Sequence, residues 1–104
     1  MKKYIALKEN GQNATHLKIE LHYSKGGMNY FSYQQERRGY YLMVTPVERK
    51  GIMEGFIAFS GIKKLLKEVK RQSAKAEAEA ESMVEQNEHE LIEYVLNKEG
   101  LELA

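Results

Sequence analysis

The sequence predicts an α+β domain: a four- to five-stranded antiparallel β-meander followed by a long C-terminal helix. Three observations carry that prediction. Residues 15–23, THLKIELHY, alternate apolar and polar side chains with a period of two, as a strand with one wet face does. Short runs of similar character recur as far as residue 60, separated by turn residues. From Gly61 to Gly100 the texture changes to strong helix formers with no proline. The 104 residues suit one domain, with a sheet region over 1–60 and a helical region over 61–99.

Taken in order, KYIALKE at 3–9 is a plausible partner for 15–23. Asn10–Gly11 between them suits the positive dihedrals of a tight turn. Gly26–Gly27 breaks the chain, MNYFSYQ at 28–34 reads as a third strand, and GYYLMVTPV at 39–47 as a fourth, with a turn over 34–39. Pro46 has no amide hydrogen, so it belongs at an edge or a strand end. GFIAFS at 55–60 is a fifth strand. Sequential strands with short turns favour a meander. The helix is predicted from Ile62 to Lys98, with Ile62, Leu66, Val69, Ser73, Ala76, Ala80, Met83 and Asn87 at 4-3 spacing; the stripe then moves to Val84, Leu91 and Val95. Asn87 followed by Glu90 has the form of a capping pair, so the helix is either continuous or kinked or broken near Asn87. Gly100 fits a left-handed cap, with Leu101 folding back on Leu96.

A helix over 62–98 would be about 55 Å long, against about 23 Å for a seven-residue strand. Either the helix bends back at 87 or a second chain covers the overhang, and a homodimer is the expectation. The helix carries bases first (Lys63, Lys64, Lys67, Lys70, Arg71) and acids later. That order opposes the helix macrodipole. An antiparallel helix pair would match the two halves; a solvated face is the simpler account.

Composition removes most chemistry. Sixteen basic and fifteen acidic residues nearly cancel, so no global field draws nucleic acid. Cysteine is absent, which excludes disulfides and thiolate catalysis. Aspartate is absent too, so no Asp-built metal cage or Asp-oriented triad exists. No apolar run approaches the roughly 18 residues of a membrane span, and MKKYIALKENG lacks the apolar stretch of a signal peptide. The expected location is cytoplasmic. His16 and His22 on one strand lie about 20 Å apart, too far to share a metal. Glu85, His89 and Glu93 at i, i+4 and i+8 read as a solvated face rather than a metal site. SKGG lacks the spacing of a phosphate loop, and no serine has a nucleophile-elbow context. The expectation is a protein that is not an enzyme, with no catalytic residue, cofactor or metal.

What remains points to partners. Residues 28–44, MNYFSYQQERRGYYLMV, hold five of the ten aromatic residues, with Arg37 and Arg38 between them. By alternation Tyr40, Leu42 and Val44 face one way, and Tyr41, Met43 and Thr45 the other. These strands are therefore apolar on both faces, while one helix covers one face. Tyr30, Tyr33, Tyr40 and Tyr41 are candidate anchors for a protein partner. They are also candidate stacking platforms for single-stranded nucleic acid; strand filler is the plain alternative. A meander sets the 34–39 turn beside the helix start, so Arg37, Arg38, Lys63 and Lys64 would gather where free N–H groups favour anions. Glu77, Glu79, Glu81, Glu85 and Glu88 form an acidic stripe.

KGGMNYF at 25–31, RGYYLMVTPVE at 38–48 and AFSGIKKLLKEVKR at 58–71 resemble a family of small uncharacterised proteins of phages and mobile elements in gut-dwelling anaerobic bacteria. The resemblance covers most of residues 17–98 and implies no catalytic residue. It implies instead the roles such proteins play: inhibition of a host defence nuclease, anti-CRISPR proteins among them, or accessory DNA or RNA binding. The expected function is a protein inhibitor that covers a nuclease surface, the acidic stripe entering a basic channel. The alternatives are a nucleic-acid binder using the basic start of the helix, and an assembly protein that dimerises through the helix.

Overall fold

The computed structural model describes residues 2–29, 34–50, 55–58, 61–66 and 74–104. Its elements are β1 (Lys2–Ala6), β2 (His16–Ser24), β3 (Gly27–Asn29), β4 (Gln34–Glu36), β5 (Gly39–Lys50), β6 (Gly55–Ala58), β7 (Ile62–Leu65) and α1 (Ala74–Glu99). The main sheet runs β1-β2-β5-β6, with β7 also on β5, and β3 pairs β4 separately. Every pairing is antiparallel. The predicted class holds: an antiparallel sheet followed by a long C-terminal helix.

The centre is one long hairpin. From His16↔Val47 the register steps without a slip to Ser24↔Gly39. After two intervening residues on each strand it resumes at Gly27↔Glu36 and ends at Asn29↔Gln34. So β3 and β4 continue β2 and β5 as an arm beyond the main sheet. This corrects the expected turn over 34–39, because Gln34–Glu36 is a returning strand. The connection itself, residues 30–33, lies outside the described residues. Gly26 and Gly27 adopt φ of 85° and 102° at the junction, a region that glycine enters without steric cost. The Gly26 amide also donates to Ser24 Oγ at 3.1 Å.

At the β1–β2 turn, the Asn10 side chain acts as a local template. Its Oδ1 accepts from the amides of Gln12 and Ala14, and its Nδ2 donates to the carbonyls of Lys8 and Ala14. Asparagine suits this role because its side chain mimics backbone groups.

Pro46 departs from expectation. It lies inside β5, fully buried. Leu66 N–H bonds to Tyr40 O at 2.8 Å. In an antiparallel ladder this turns the backbone groups of even-numbered β5 residues toward the β7 side. Pro46 belongs to that series. Its missing donor therefore falls between the β6 ladder, which ends at Val47↔Ala58, and the β7 ladder, which begins at Val44↔Ile62. From Val47↔Ala58 to Val44↔Ile62 three steps along β5 match four along its partner, so the pairing is irregular beside the proline, the setting in which a strand tolerates one. Gly61 sits there too: a Cβ on it would come within 2.7 Å of Thr45 Oγ1.

The larger correction concerns the helix. Ile62–Leu65 is a strand, not the first helical turn. Helix propensity is a weak prior, and the open edge of β5 offers these residues a backbone ladder. Residues 67–73 lie outside the described residues. α1 runs unbroken for 26 residues. Of the alternatives left open at Asn87 the continuous helix is the one observed, and the Asn87 Nδ2 donates to Met83 O at 2.7 Å inside it. At about 39 Å, α1 matches the roughly 40 Å of twelve-residue β5. The overhang that argued for a homodimer is gone. Ala76, Ala80, Val84, Leu91, Ile92 and Val95 are its buried side. Ala80, Val84, Leu91, Ile92 and Val95 close a core with Leu17, Ile19, Leu42 and Val44. Each large apolar side chain so buried stabilises the fold by about 1.5–3 kcal/mol. The predicted cap also holds: Gly100 has φ 66° and Leu101 N–H bonds to Leu96 O at 2.9 Å.

Candidate partner-binding surface

The hairpin divides its tyrosines between two faces. Tyr40 points under α1 with Leu42 and Val44 and is 4% exposed. Its ring meets Tyr23 edge-on at 5.0 Å between centroids. Tyr40 is core, not a surface anchor, which corrects its place among the candidate contacts. Its buried hydroxyl has no hydrogen-bond partner among the described residues. Tyr41 lies half-buried on the opposite face, as alternation requires. Its hydroxyl donates to Arg37 O at 2.9 Å, and Lys63 Nζ stands 5.9 Å from its ring centroid. Tyr30 and Tyr33 lie outside the described residues.

That second face is mixed rather than apolar. The register aligns Lys18 and Glu20 on it with Thr45 and Met43, and Lys18 Nζ is 3.5 Å from Glu20. Thr45 and Val47 are buried, whereas Tyr4 and Leu65 are exposed. Charge across the middle of the sheet removes the need for a covering subunit that two apolar faces would have imposed.

The expected basic cluster is split. Lys63 and Lys64 belong to β7, not to the helix start, and as strand neighbours they point to opposite faces. Lys63 meets Glu36 of β4 at 2.7 Å. Lys64 reaches Glu90 of α1 at 3.6 Å. Arg37 and Arg38 are exposed at the root of the arm, where Arg38 Nε donates to the Tyr23 hydroxyl at 3.2 Å. So the Arg37 carbonyl, Tyr41 and Lys63 come together, and Lys64 does not join them. Lys67, Lys70 and Arg71 lie outside the described residues.

The acidic stripe is narrower than expected. Glu77, Glu81 and Glu85 follow i, i+4 spacing along one flank of α1, all exposed. Glu79 is about 200° around the helix from Glu77 and leaves that line. Glu88 is half-buried and bound by Lys3 of β1. Among the described residues, Glu77, Glu79, Glu81 and Glu85 make no ion pair.

Sequence reasoning missed the opposite flank. There β7 and the C-terminal half of α1 enclose a groove of about 530 Å³ that includes Ile62, Lys64, Leu91, Glu93 and Tyr94. Exposed Tyr94, standing out among polar neighbours on α1, was the available signal. The adjoining His89–Glu93 contact is 3.3 Å between exposed side chains. No three His or Glu side chains among the described residues are placed to hold a metal ion. No described helix is long and apolar enough to cross a membrane. No protein-family model, curated protein or solved structure matches the chain.

Proposed function

We propose that the chain is a non-enzymatic binding protein of a phage or mobile element that inhibits a host defence nuclease, in the manner of an anti-CRISPR protein, by occluding its nucleic-acid channel. One observation carries this reading: Glu77, Glu81 and Glu85 line an exposed helix flank without ionic partners among the described residues. Their carboxylates recur about every 6 Å along a rigid rod. A groove built from lysines and arginines to hold a phosphate backbone accepts such a line of charge. The helix then sits where the nucleic acid would. Steering by opposite charge speeds the encounter, and the desolvated pairs slow release.

Nucleic-acid binding by the basic residues ranks second, since Lys63 and Lys64 each already rest against a carboxylate. The test is the triple reversal of Glu77, Glu81 and Glu85 to Lys, assayed for cleavage by purified CRISPR effector nucleases, with far-ultraviolet dichroism to confirm the helix. The wild-type chain should inhibit at least one nuclease, and the reversal should weaken that inhibition by about 100-fold or more. Inhibition that survives the reversal sinks the occlusion mechanism. A salt-sensitive mobility shift of DNA by the wild-type chain, without inhibition, turns the reading to the nucleic-acid alternative.

A further inference from the structure

One carboxylate on the acidic side of α1 is held by the sheet. Glu88 lies about 20° around the helix from Glu77, so it falls on the side that carries Glu77 and Glu81. Lys3 of β1 closes on it, and the Glu88 side chain is only 16% exposed. The register brings Lys3 there. Lys3 pairs with Ile19, and Ile5 with Leu17. Directly paired residues project to the same face, and Ile19 and Leu17 are buried in the core that α1 closes.

β1 has little hold of its own on that core. Ile5 is its one partly buried residue, so the strand contributes little apolar burial. On its inner side it has the ladder with β2. On its outer side, at Ala6 and just beyond, residues 101–104 act as a strap. Glu102 accepts from Lys8, Ala104 donates to Ala6, and Leu103 bridges Leu7. Leu101, 5% exposed, pins the strap into the same core as Leu7. Gly100, at φ 66°, is the pivot between the helix and the strap.

The contacts therefore run in series, from Leu101 through the strap to β1 and from Lys3 to Glu88. The centre of the core stands outside the series. Ile19, Leu42, Val44 and Val84 are buried among β2, β5 and α1. A series at the margin opens at lower free energy than the whole molecule. When the strap lets go, β1 loses its outer support, and Lys3 leaves with it.

We infer that residues 101–104 and β1 form a fastener that regulates the acidic flank. Closed, it masks Glu88 with Lys3; released, it adds Glu88 to the line of Glu77, Glu81 and Glu85. The regulatory meaning rests on the occlusion reading, because the lengthened line is what a basic channel would meet. The linkage from Leu101 to Glu88 does not rest on it.

The experiment follows the full chain by amide hydrogen exchange and by carbodiimide coupling of glycine ethyl ester to carboxylates, read by mass spectrometry. In the wild type, Glu88 should couple more slowly than Glu85. Leu101→Ala unpins the strap and should speed exchange at Ile5, Leu7, Lys8 and Ala104 by about 10-fold or more, with Lys64 unchanged. Glu88 should then couple as fast as Glu85. Lys3→Ala cuts the last link alone: Glu88 should again couple as fast as Glu85, while Lys8 and Ala104 exchange as in the wild type. Equal coupling of Glu88 and Glu85 in the wild type would overturn the mask. If Leu101→Ala speeds Lys8 and Ala104 but leaves Ile5 and Glu88 unchanged, the strap frays alone and the linkage is wrong. If that variant speeds Lys64 equally, Lys3→Ala decides, and a Glu88 that stays slow overturns the inference. Failure of the occlusion reading shows instead in the nuclease assay and leaves these rates as they are.

Discussion

Along the outer side of β1 the last residues of the chain supply a partner, whereas along β7 the chain supplies charge. Lys8 N–H bonds to Glu102 O at 2.9 Å, Ala104 N–H bonds to Ala6 O at 3.0 Å, and Leu7 bridges Leu103. Gln12 Nε2 adds a bond to Glu99 O at 2.6 Å, tying the β1–β2 turn to the end of α1. The Gly100 cap makes this possible, because it reverses the chain at the helix end and returns it to the sheet. At β7, Lys63 and Lys64 stand at an edge with no further strand among the described residues. Covering an edge and charging it are both ways to prevent unwanted pairing. The second leaves the outward N–H and C=O groups of Lys63 and Leu65 without a strand among the described residues.

Three substitutions break or sharpen this contrast. The largest effect should come from Leu42→Ala, because Leu42 is fully buried on β5, the strand on which both edges depend. Loss of its side chain should cost about 2–5 kcal/mol in denaturant unfolding. Exchange should quicken at Leu7 and Lys64 together; if only one side responds, the edges are separate cooperative units. A smaller effect is expected from Asn10→Ala, which removes four hydrogen bonds of the β1–β2 turn. Because some of these groups rebind water, the net cost should be about 1–2 kcal/mol. Here amide exchange should quicken at Leu7 and Lys8 while β7 is unchanged. Glu36→Gln should matter least, since its ion pair with Lys63 is partly exposed. A loss of about 0.2–1 kcal/mol is expected, shrinking as salt rises. Two-temperature denaturant titrations at low and high ionic strength would detect it.

Much of the sheet was legible because its signals were local. The alternation of Leu17, Ile19 and Leu21 and the cap at Gly100 each report on a few neighbouring residues, whereas in the β1–β2 connection the positive φ falls at Asn13 rather than at Asn10–Gly11. The misreadings arose where a distant partner decided the outcome. IKKL at 62–65 reads as helix by propensity, yet it is a strand because β5 has an open side. Pro46 reads as a strand end, yet it is interior, where the partner register shifts by one residue between Val47↔Ala58 and Val44↔Ile62. At Asn87 the sequence left a cap and a helix interior both open, and what decides between them is the burial of Leu91 and Val95 beyond it. The candidate surface followed the same rule. The exposed flank of Glu77, Glu81 and Glu85 is visible from helical spacing alone. The capture of Glu88 by Lys3 and the groove beside Tyr94 depend on how α1 lies over the sheet.

The unslipped register of the long hairpin has a consequence for how this molecule can vary. Because β3 and β4 continue the alignment of β2 and β5, the arm changes length by whole rungs, such as Met28 together with Gln35. Removing one residue from one strand alone would turn every later side chain to the wrong face. Removing a matched pair leaves the body as it was. The arm is thus a telescoping part: its reach is adjustable in steps of one rung, while Ser24 and Gly39 still meet at its base.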